Sequence, residues 1–207
     1  MKLWDFSLSL YPKPGVAEAC LALQNQHGFD VNVFLCCLWL AQQRRSLAAQ
    51  STRELVAQSD AWRGELIAPL RQLRTKMKHW PDSDVLPSFT GQPGFTTLRD
   101  EIKAAELHGE KLQQLGLEEL VSSAELAEDE QLRGFVESWR FLTSHYASTH
   151  ASRISTDLSP GTGTSTELAS PVQLLLTVAK HVDDGFHADL AGALKLAALL
   201  KETDLPT

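Results

Sequence analysis

Hydrophobic residues recur at spacings of three and four along nearly the whole chain, which is the pattern of amphipathic α-helices. The pattern predicts helices over residues 3–11, 14–26, 31–48, 51–80, 95–115, 117–127, 128–150, 171–182 and 187–202. No stretch alternates apolar and polar residues as a half-buried strand does. The predicted fold class is therefore all-α, a multi-helix bundle-like domain with a C-terminal helical hairpin after a Ser/Thr-rich linker.

The third predicted helix lies in the stretch HGFDVNVFLCCLWLAQQRR, residues 27–45. Its middle is apolar on every side, which is typical of a helix buried at the centre of a bundle. The apolar run is far shorter than the ~20 residues that cross a bilayer. Asp30 is suited to cap this helix, whereas no local pattern explains the neighbouring Asn32.

Two longer helices carry apolar stripes. Within 51–80, the predicted inward face holds residues at spacings of three and four: Trp62, Leu66, Leu70, Leu73 and Met77. Pro69 falls inside this stripe and predicts a kink or a division, because it has no N–H to donate and its ring crowds the preceding turn.

Within 95–115, a heptad-like seam holds small or apolar residues: Leu98, Ile102, Ala105, Gly109 and Leu112. Gly109 on this seam predicts the close approach of a neighbouring helix.

Composition predicts three segments. Residues 1–150 hold the main helical domain, 171–207 hold the hairpin, and 151–170 form a flexible linker in which nine of twenty residues are Ser or Thr. Such a linker buries too little apolar surface to offset its ordering entropy. We expect the hairpin to dock on the main domain, and the sequence leaves open whether it does so within one chain or between two.

Charge and cysteine content limit the function classes. The net charge is −7: residues 1–80 hold ten Lys/Arg against six Asp/Glu, and residues 81–207 hold nine against twenty. The acidic total argues against general nucleic-acid binding.

Three cysteines, two of them adjacent, predict no disulfide framework, so we expect them in the core. The N-terminus meets Asp5 before any long apolar run, so no signal peptide is expected and a cytoplasmic location is predicted.

Charged side chains on the two long helices are the candidate sites. Four basic residues flank the apolar stripe of the helix predicted over 51–80: Arg63, Arg71, Arg74 and Lys78. They form a candidate anion- or partner-binding face, and the alternatives are a solvated face or pairing with the acidic half of the chain. Three charged residues share one side of the helix predicted over 95–115: Lys103, Glu106 and Glu110. They form either a weak Lys–Glu surface pair or a buried charge network with the arginines.

Metal and cofactor motifs are weak. The segment HVDDGFHAD, residues 181–189, is the best metal-like cluster, but it lacks a second acidic motif, and helix-dipole effects also explain its residues. A di-metal bundle needs Glu-x-x-His pairs, and no glutamate in this sequence has histidine three residues on. No phosphate-binding loop, dinucleotide fingerprint or nucleophile elbow is found. We predict no metal site, no cofactor and no catalytic residue.

Residues 3–41, LWDFSLSLYPKPGVAEACLALQNQHGFDVNVFLCCLWLA, closely resemble the start of a bacterial family of conserved hypothetical proteins, a domain of unknown function. The resemblance continues through WRGELIAPLRQLRTKMK, residues 62–78, and LRDEIKAAELHGEKLQQLGLEEL, residues 98–120. The Leu-Trp-Asp-Phe, Pro-Gly-Val, Asp-Val-Asn and Pro-Leu-Arg elements come in the family's order. The resemblance implies a helical bacterial cytoplasmic domain and no established activity.

Two classes of function follow. The first is a non-enzymatic protein-interaction or regulatory module with an unknown protein partner. The second is a helical enzyme or carrier for an apolar, phosphorylated, isoprenoid-like ligand, with the basic face as its anion clamp. RNA binding through the same face is a weaker third possibility, and no membrane partner is expected. The sequence leaves the oligomeric state open.

Overall fold

The computed structural model describes residues 1–82, 86–129, 131–156, 169–182 and 184–203. Its α-helices are α1 (Leu3–Leu10), α2 (Val16–His27), α3 (Val31–Gln42), α4 (Ala49–Trp62), α5 (Ala68–His79), α6 (Pro87–Thr90), α7 (Phe95–Ser123), α8 (Arg133–Thr156), α9 (Pro171–Ala179) and α10 (Asp184–Thr203). Two short strands, β1 (Arg45–Leu47) and β2 (Leu126–Glu128), pair antiparallel. The predicted all-α class is confirmed, with this small ribbon added to it.

Helix α3 lies at the centre of the fold. It contacts α1, α2, α4, α7 and α8, and every residue from Val31 to Ala41 is buried except Asn32 and Trp39. Each large apolar side chain buried in this way stabilises the fold by about 1.5–3 kcal/mol. Asp30 begins the helix, and its carboxylate accepts from the N–H groups of Asn32 and Val33. The predicted cap is therefore confirmed.

The end of α3 differs from the prediction. The helix was expected to run to residue 48, but it ends at Gln42. Arg44 has a φ of 54°, in the left-handed region, which turns the chain out of the helix. The next three residues form β1 and pair with β2. Strands of three residues are too short to give an alternating signal, so the sequence pattern did not show them.

A π-helical turn, Arg63–Ile67, joins α4 to α5 just before Pro69. The wider turn accommodates a residue that has no N–H to donate, and one extra residue in a turn rotates the following face by about 100°. Ile67 is buried, whereas Trp62 is 38% exposed and Leu73 is 39% exposed. The predicted inward stripe is therefore wrong at Trp62 and Leu73.

Helix α7 is continuous from Phe95 to Ser123, so the predicted break after residue 115 is wrong. Its buried stripe is largely polar and consists of Glu106, Gly109, Gln113, Gln114, Leu117 and Val121. The predicted seam is wrong at three positions, because Leu98 is 50% exposed, Leu112 is 44% exposed and Ala105 is also exposed. A Cβ added at Gly109 would lie 3.2 Å from Leu66 Cδ2, so the expected close approach does occur there.

The last helices pack on the main body of the same chain. Helix α9 lies against α2, and α10 lies against α8 and α9. Four side chains of α9 enter the common core: Leu174, Leu175, Val178 and Ala179. Arg44 forms an ion pair with Asp189 of α10. The backbone of residues 151–156 continues α8, and the rest of the predicted linker, up to residue 168, lies outside the described residues.

Candidate functional site

Two arginines of α5 meet two glutamates of α7 in what we call the arginine–glutamate cluster. Arg71 Nε donates to Glu106 Oε1 at 2.7 Å, and its Nη2 donates to Glu110 Oε1 at 2.6 Å. Arg74 Nε donates to Glu106 Oε2 at 2.6 Å. Glu106 is buried and the other three side chains are half-buried. The cluster therefore joins α5 to α7 by charge-assisted hydrogen bonds, which are the stronger kind.

The electrostatics of the cluster favour its charged form at Glu106. Burial alone would raise the pKa of Glu106, but hydrogen bonds from Arg74 and Arg71 outweigh burial and hold that pKa below its usual value. Burial raises the pKa of Glu110, against the opposing charge of Arg71. The hydrogen bond with Glu106 raises the pKa of Arg74. Glu106 is thus the anion that both arginines neutralise.

The remaining basic and acidic candidates lie apart from the cluster. Lys78 and Lys103 are exposed, so Lys103 does not share the buried network proposed for it. Arg63 enters the fold at the π-helical turn, where its Nη1 donates to the Gly28 carbonyl at 3.1 Å. Its Nη2 lies 3.4 Å from Asp60 Oδ1. The four basic candidates therefore do not form one continuous face.

A directed chain of hydrogen bonds, which we call the amide relay, crosses the centre of the fold. The Ser7 hydroxyl donates to Gln114 Oε1 at 2.9 Å, and Gln114 Nε2 donates to Asn32 Oδ1 at 2.7 Å. Asn32 Nδ2 donates to Gln113 Oε1 at 2.5 Å. Gln113 Nε2 donates to Asp30 Oδ2 at 2.7 Å. Because Asp30 Oδ2 accepts from Gln113 Nε2, each amide further along must present its oxygen to the next donor, so the whole chain has one direction.

Asp30 is the buried end of this relay, with 2% of its surface exposed. Burial raises its pKa, against the opposing charge of Arg63 and a hydrogen bond from Ser59. The Ser59 hydroxyl donates to Asp30 Oδ2 at 3.1 Å, and Arg63 Nε lies 4.0 Å from the same oxygen. Asp30 therefore caps α3 and also ties α4, the π-helical turn and α7 to it. This accounts for Asn32 as well, since its side chain carries the relay between Gln113 and Gln114.

A small polar cavity lies between the relay and the arginine–glutamate cluster. Its volume is about 30 Å³, and its lining includes Tyr11, Asp30, Arg63, Arg71 and Glu110. A cavity of this size accepts one water and is too small for an organic substrate. The charged residues around this cavity therefore lie packed between helices.

The cysteines show no reactive arrangement within the described part of the chain, and His145 Nε2 lies 2.7 Å from Asp60 Oδ2 at a half-buried position. The three cysteines are buried, and burial raises the pKa of Cys20 to about 12 and that of Cys37 to about 12. The described residues contain no group of three metal-ligating side chains. In the metal-like segment, His181 Nε2 lies 2.9 Å from the Pro14 carbonyl oxygen, and Asp189 pairs with Arg44. Its Asp183 lies outside the described residues.

An open groove runs between α4 and α7 on the surface, and we call it the α4–α7 groove. It consists of two hollows of about 510 Å³ and about 290 Å³, which share Gln58, Leu120 and Ser123. The larger hollow is mainly apolar and the smaller one is mainly polar. Two large apolar side chains of the larger hollow are well exposed, Trp62 at 38% and Leu112 at 44%. These two side chains make the larger hollow a candidate binding surface.

Two features keep the groove open. Gly116 lines it, and a Cβ at this position would meet nothing within 4 Å. Trp62 is held at the rim because its Nε1 donates to the Gly109 carbonyl at 3.0 Å. Ser59 and Gln113, which bond to Asp30, form part of the floor. The groove therefore rests directly on the buried polar network.

Comparison with known protein families identifies the family of this chain. A family model described as "Protein of unknown function (DUF2390)" matches residues 2–117. The chain belongs to this family. The match spans α1 to most of α7 and so includes the amide relay and the arginine–glutamate cluster. No curated protein and no solved structure matches the chain.

Sequence reasoning placed Glu106 and Glu110 opposite the arginines but missed the two glutamines between them and the core. Gln113 is 5% exposed and Gln114 is 2% exposed. The available signal was their spacing, because Gln113 follows Glu106 by seven residues and so shares its side of the helix. Read together, these positions predict a polar inner face on α7.

Proposed function

We propose that this member of the family is a non-enzymatic protein-interaction module that binds its partner in the α4–α7 groove. The observation that carries the proposal is the larger hollow of the groove, which is mainly apolar and exposes Trp62 and Leu112. Tryptophan is enriched at protein interfaces and often carries much of their binding energy. A partner that covered these side chains would remove them from water, as the core does for the rest of the fold.

The chemistry of the interior supports binding over catalysis. Each charged side chain of the arginine–glutamate cluster is bonded to another member, and Asp30 is bonded to Ser59 and Gln113. The cavity beside them has a volume of about 30 Å³, which leaves no room for a substrate. The thiols, with pKa values of about 12 at Cys20 and Cys37, are a poor source of a nucleophilic thiolate.

The anion-clamp and RNA-binding alternatives lose their main support. Both require the basic face to attract phosphate, and Glu106 and Glu110 already pair with Arg71 and Arg74. Arg63 is directed to Gly28 and Asp60 instead of the surface. Lys78 is exposed, but the three arginines that would hold a phosphate are committed to the fold.

Site-specific photocross-linking tests the proposal. A photoreactive amino acid replaces Gly116 in the groove, and in a matched control it replaces Gly192 on α10. Both positions leave open space for an added Cβ. On irradiation in cells, we expect an adduct of discrete mass from position 116 and none from position 192. The adduct should be lost when Leu112, an exposed side chain of the groove, is changed to glutamate.

The control decides the interpretation. Equal labelling from the two positions would indicate non-specific contact and would overturn the proposal. The absence of any adduct at position 116 would also overturn it, provided that circular dichroism shows both variants folded. An adduct at twice the mass of the chain would identify a second copy of the protein as the occupant of the groove.

A further inference from the structure

We infer that the partner presented to the α4–α7 groove is a cationic amphipathic helix of another protein. This inference rests on the proposed function and names the chemistry of its partner. The groove carries an acidic rim, which we define as Glu54, Glu119 and Glu125. No lysine or arginine is among the residues that line the two hollows. A partner that fits must therefore bring positive charge to the rim and apolar side chains to the floor.

The length of the groove fits a helix. One wall is α4, whose 14 residues extend about 21 Å at 1.5 Å per residue. Trp62 and Leu112 are exposed at one end of the groove, and Leu120 is half-buried in its middle. Leu117 and Leu55, at 2% and 3% exposed, lie at its base. A peptide helix of three to four turns would bind in this groove through the apolar residues of one face, as in other helix-in-groove complexes.

Two neighbouring cations, Arg53 and Lys111, are turned away from the rim, whereas Arg45 Nη2 donates to the Leu126 carbonyl at 3.2 Å, beside the Glu125 end. Arg53 adjoins Glu54 in sequence, but its guanidinium lies 6.0 Å from the centre of the Phe141 ring on α8. Lys111 precedes Leu112 in sequence, but its ammonium lies 5.7 Å from the centre of the Trp4 ring on α1. Both charges are therefore directed away from the groove. Glu54 and Glu119 therefore leave negative charge at the groove, which attracts a basic helix and repels an acidic one.

Three synthetic peptides of about 16 residues test the charge and the pattern separately. The first places leucines on one helical face and lysines beside them. The second replaces every lysine with glutamate, and the third has the composition of the first with its leucines dispersed around the helix. Binding to the full chain is measured by fluorescence anisotropy of a labelled peptide. We expect the first to bind about tenfold or more tightly than either of the others.

Two charge variants of the protein supply the matched comparison. The rim variant is Glu54→Gln, Glu119→Gln, Glu125→Gln. The control variant is Glu18→Gln, Glu65→Gln, Glu101→Gln, three exposed glutamates that do not line the groove. Both change the net charge from −7 to −4. We expect the rim variant to bind the first peptide about tenfold more weakly and the control variant to bind it within about twofold of wild type.

The outcomes separate this inference from the proposed function. Equal binding of the lysine and glutamate peptides, or equal weakening by the two charge variants, would overturn the cationic partner. Binding of the dispersed peptide as tightly as the first would overturn the amphipathic helix. If no peptide binds, the inference is wrong, while an adduct from position 116 would still support the groove as an interaction site.

Discussion

Asn32 provides the sharpest test of the buried network, because both ends of its side-chain amide have a partner of defined type. Its Nδ2 donates to Gln113 Oε1 at 2.5 Å, and its Oδ1 accepts from Gln114 Nε2 at 2.7 Å. Replacement by leucine keeps a similar volume and removes both bonds. The two glutamines, 5% and 2% exposed, then lose a partner where water has little access.

The expected loss is large. Each buried polar group left without a partner costs about 1–3 kcal/mol, so Asn32→Leu should lower the free energy of unfolding by about 2–6 kcal/mol. The glutamines cannot repair the loss by turning over, because leucine offers neither a donor nor an acceptor to either end of an amide, and Gln113 Nε2 is held by Asp30. The measurement is urea denaturation followed by circular dichroism. Asn25→Leu, the same change on the exposed surface of α2, should stay within about 0.5 kcal/mol of wild type.

Asn32→Asp tests the direction of the relay. The ionised side chain would set an acceptor oxygen against Gln113 Oε1, whereas the protonated side chain could donate there as the amide does. Burial and this repulsion would raise the pKa of the new carboxyl above the value of about 4 in the unfolded chain. The stability of the variant relative to wild type should therefore be greatest below about pH 4 and fall as pH rises through the native pKa. A relative stability that is flat with pH, or an Asn32→Leu variant within about 0.5 kcal/mol of wild type, would refute the directed relay.

Further predictions concern acid stability, packing and thiol access. The pKa of Glu106 is lowered in the native state, so its contribution is present above the unfolded value of about 4.5 and is lost as pH falls through the native pKa. Glu106→Gln should cost about 2 kcal/mol at pH 7 in urea denaturation and should flatten the decline in acid. Gly134→Ala should cost about 1–3 kcal/mol in the same measurement, because the new Cβ would lie 2.6 Å from Ser46 Cβ. Gly116→Ala, with open space, should instead stabilise by about 1 kcal/mol. The three buried cysteines should react with a thiol reagent only as fast as the protein opens, and rapid labelling of the native protein would contradict their burial.

The sequence was sufficient where an element obeys its own local pattern. The apolar α3 and its Asp30 cap were read correctly, because the run of apolar residues and the capping geometry are both local. It was insufficient at β1 and β2, whose pairing joins residues about 80 positions apart and leaves three-residue strands. Which residues of α5 face the core could not be predicted from the local sequence either. The π-helical turn at Arg63–Ile67 rotates every later residue, and a proline predicts an irregularity without specifying its kind.

The interpretation of α7 failed for a more general reason. Periodicity assigns the apolar residues of a helix to the core, and so it placed Leu112 inside and gave the glutamines no role. In the structure Gln113 is buried and Leu112 is 44% exposed, because the partners of the polar side chains lie on three other elements: Ser7 on α1, Asp30 before α3 and Arg71 on α5. The energy that turns the polar face inward is thus shared among residues far apart in sequence, each of which looks like a surface position when read alone. The orientation of α7 about its own axis that buries Gln113 also exposes Leu112. The buried polar network and the exposed apolar side chains of the groove therefore have one physical cause.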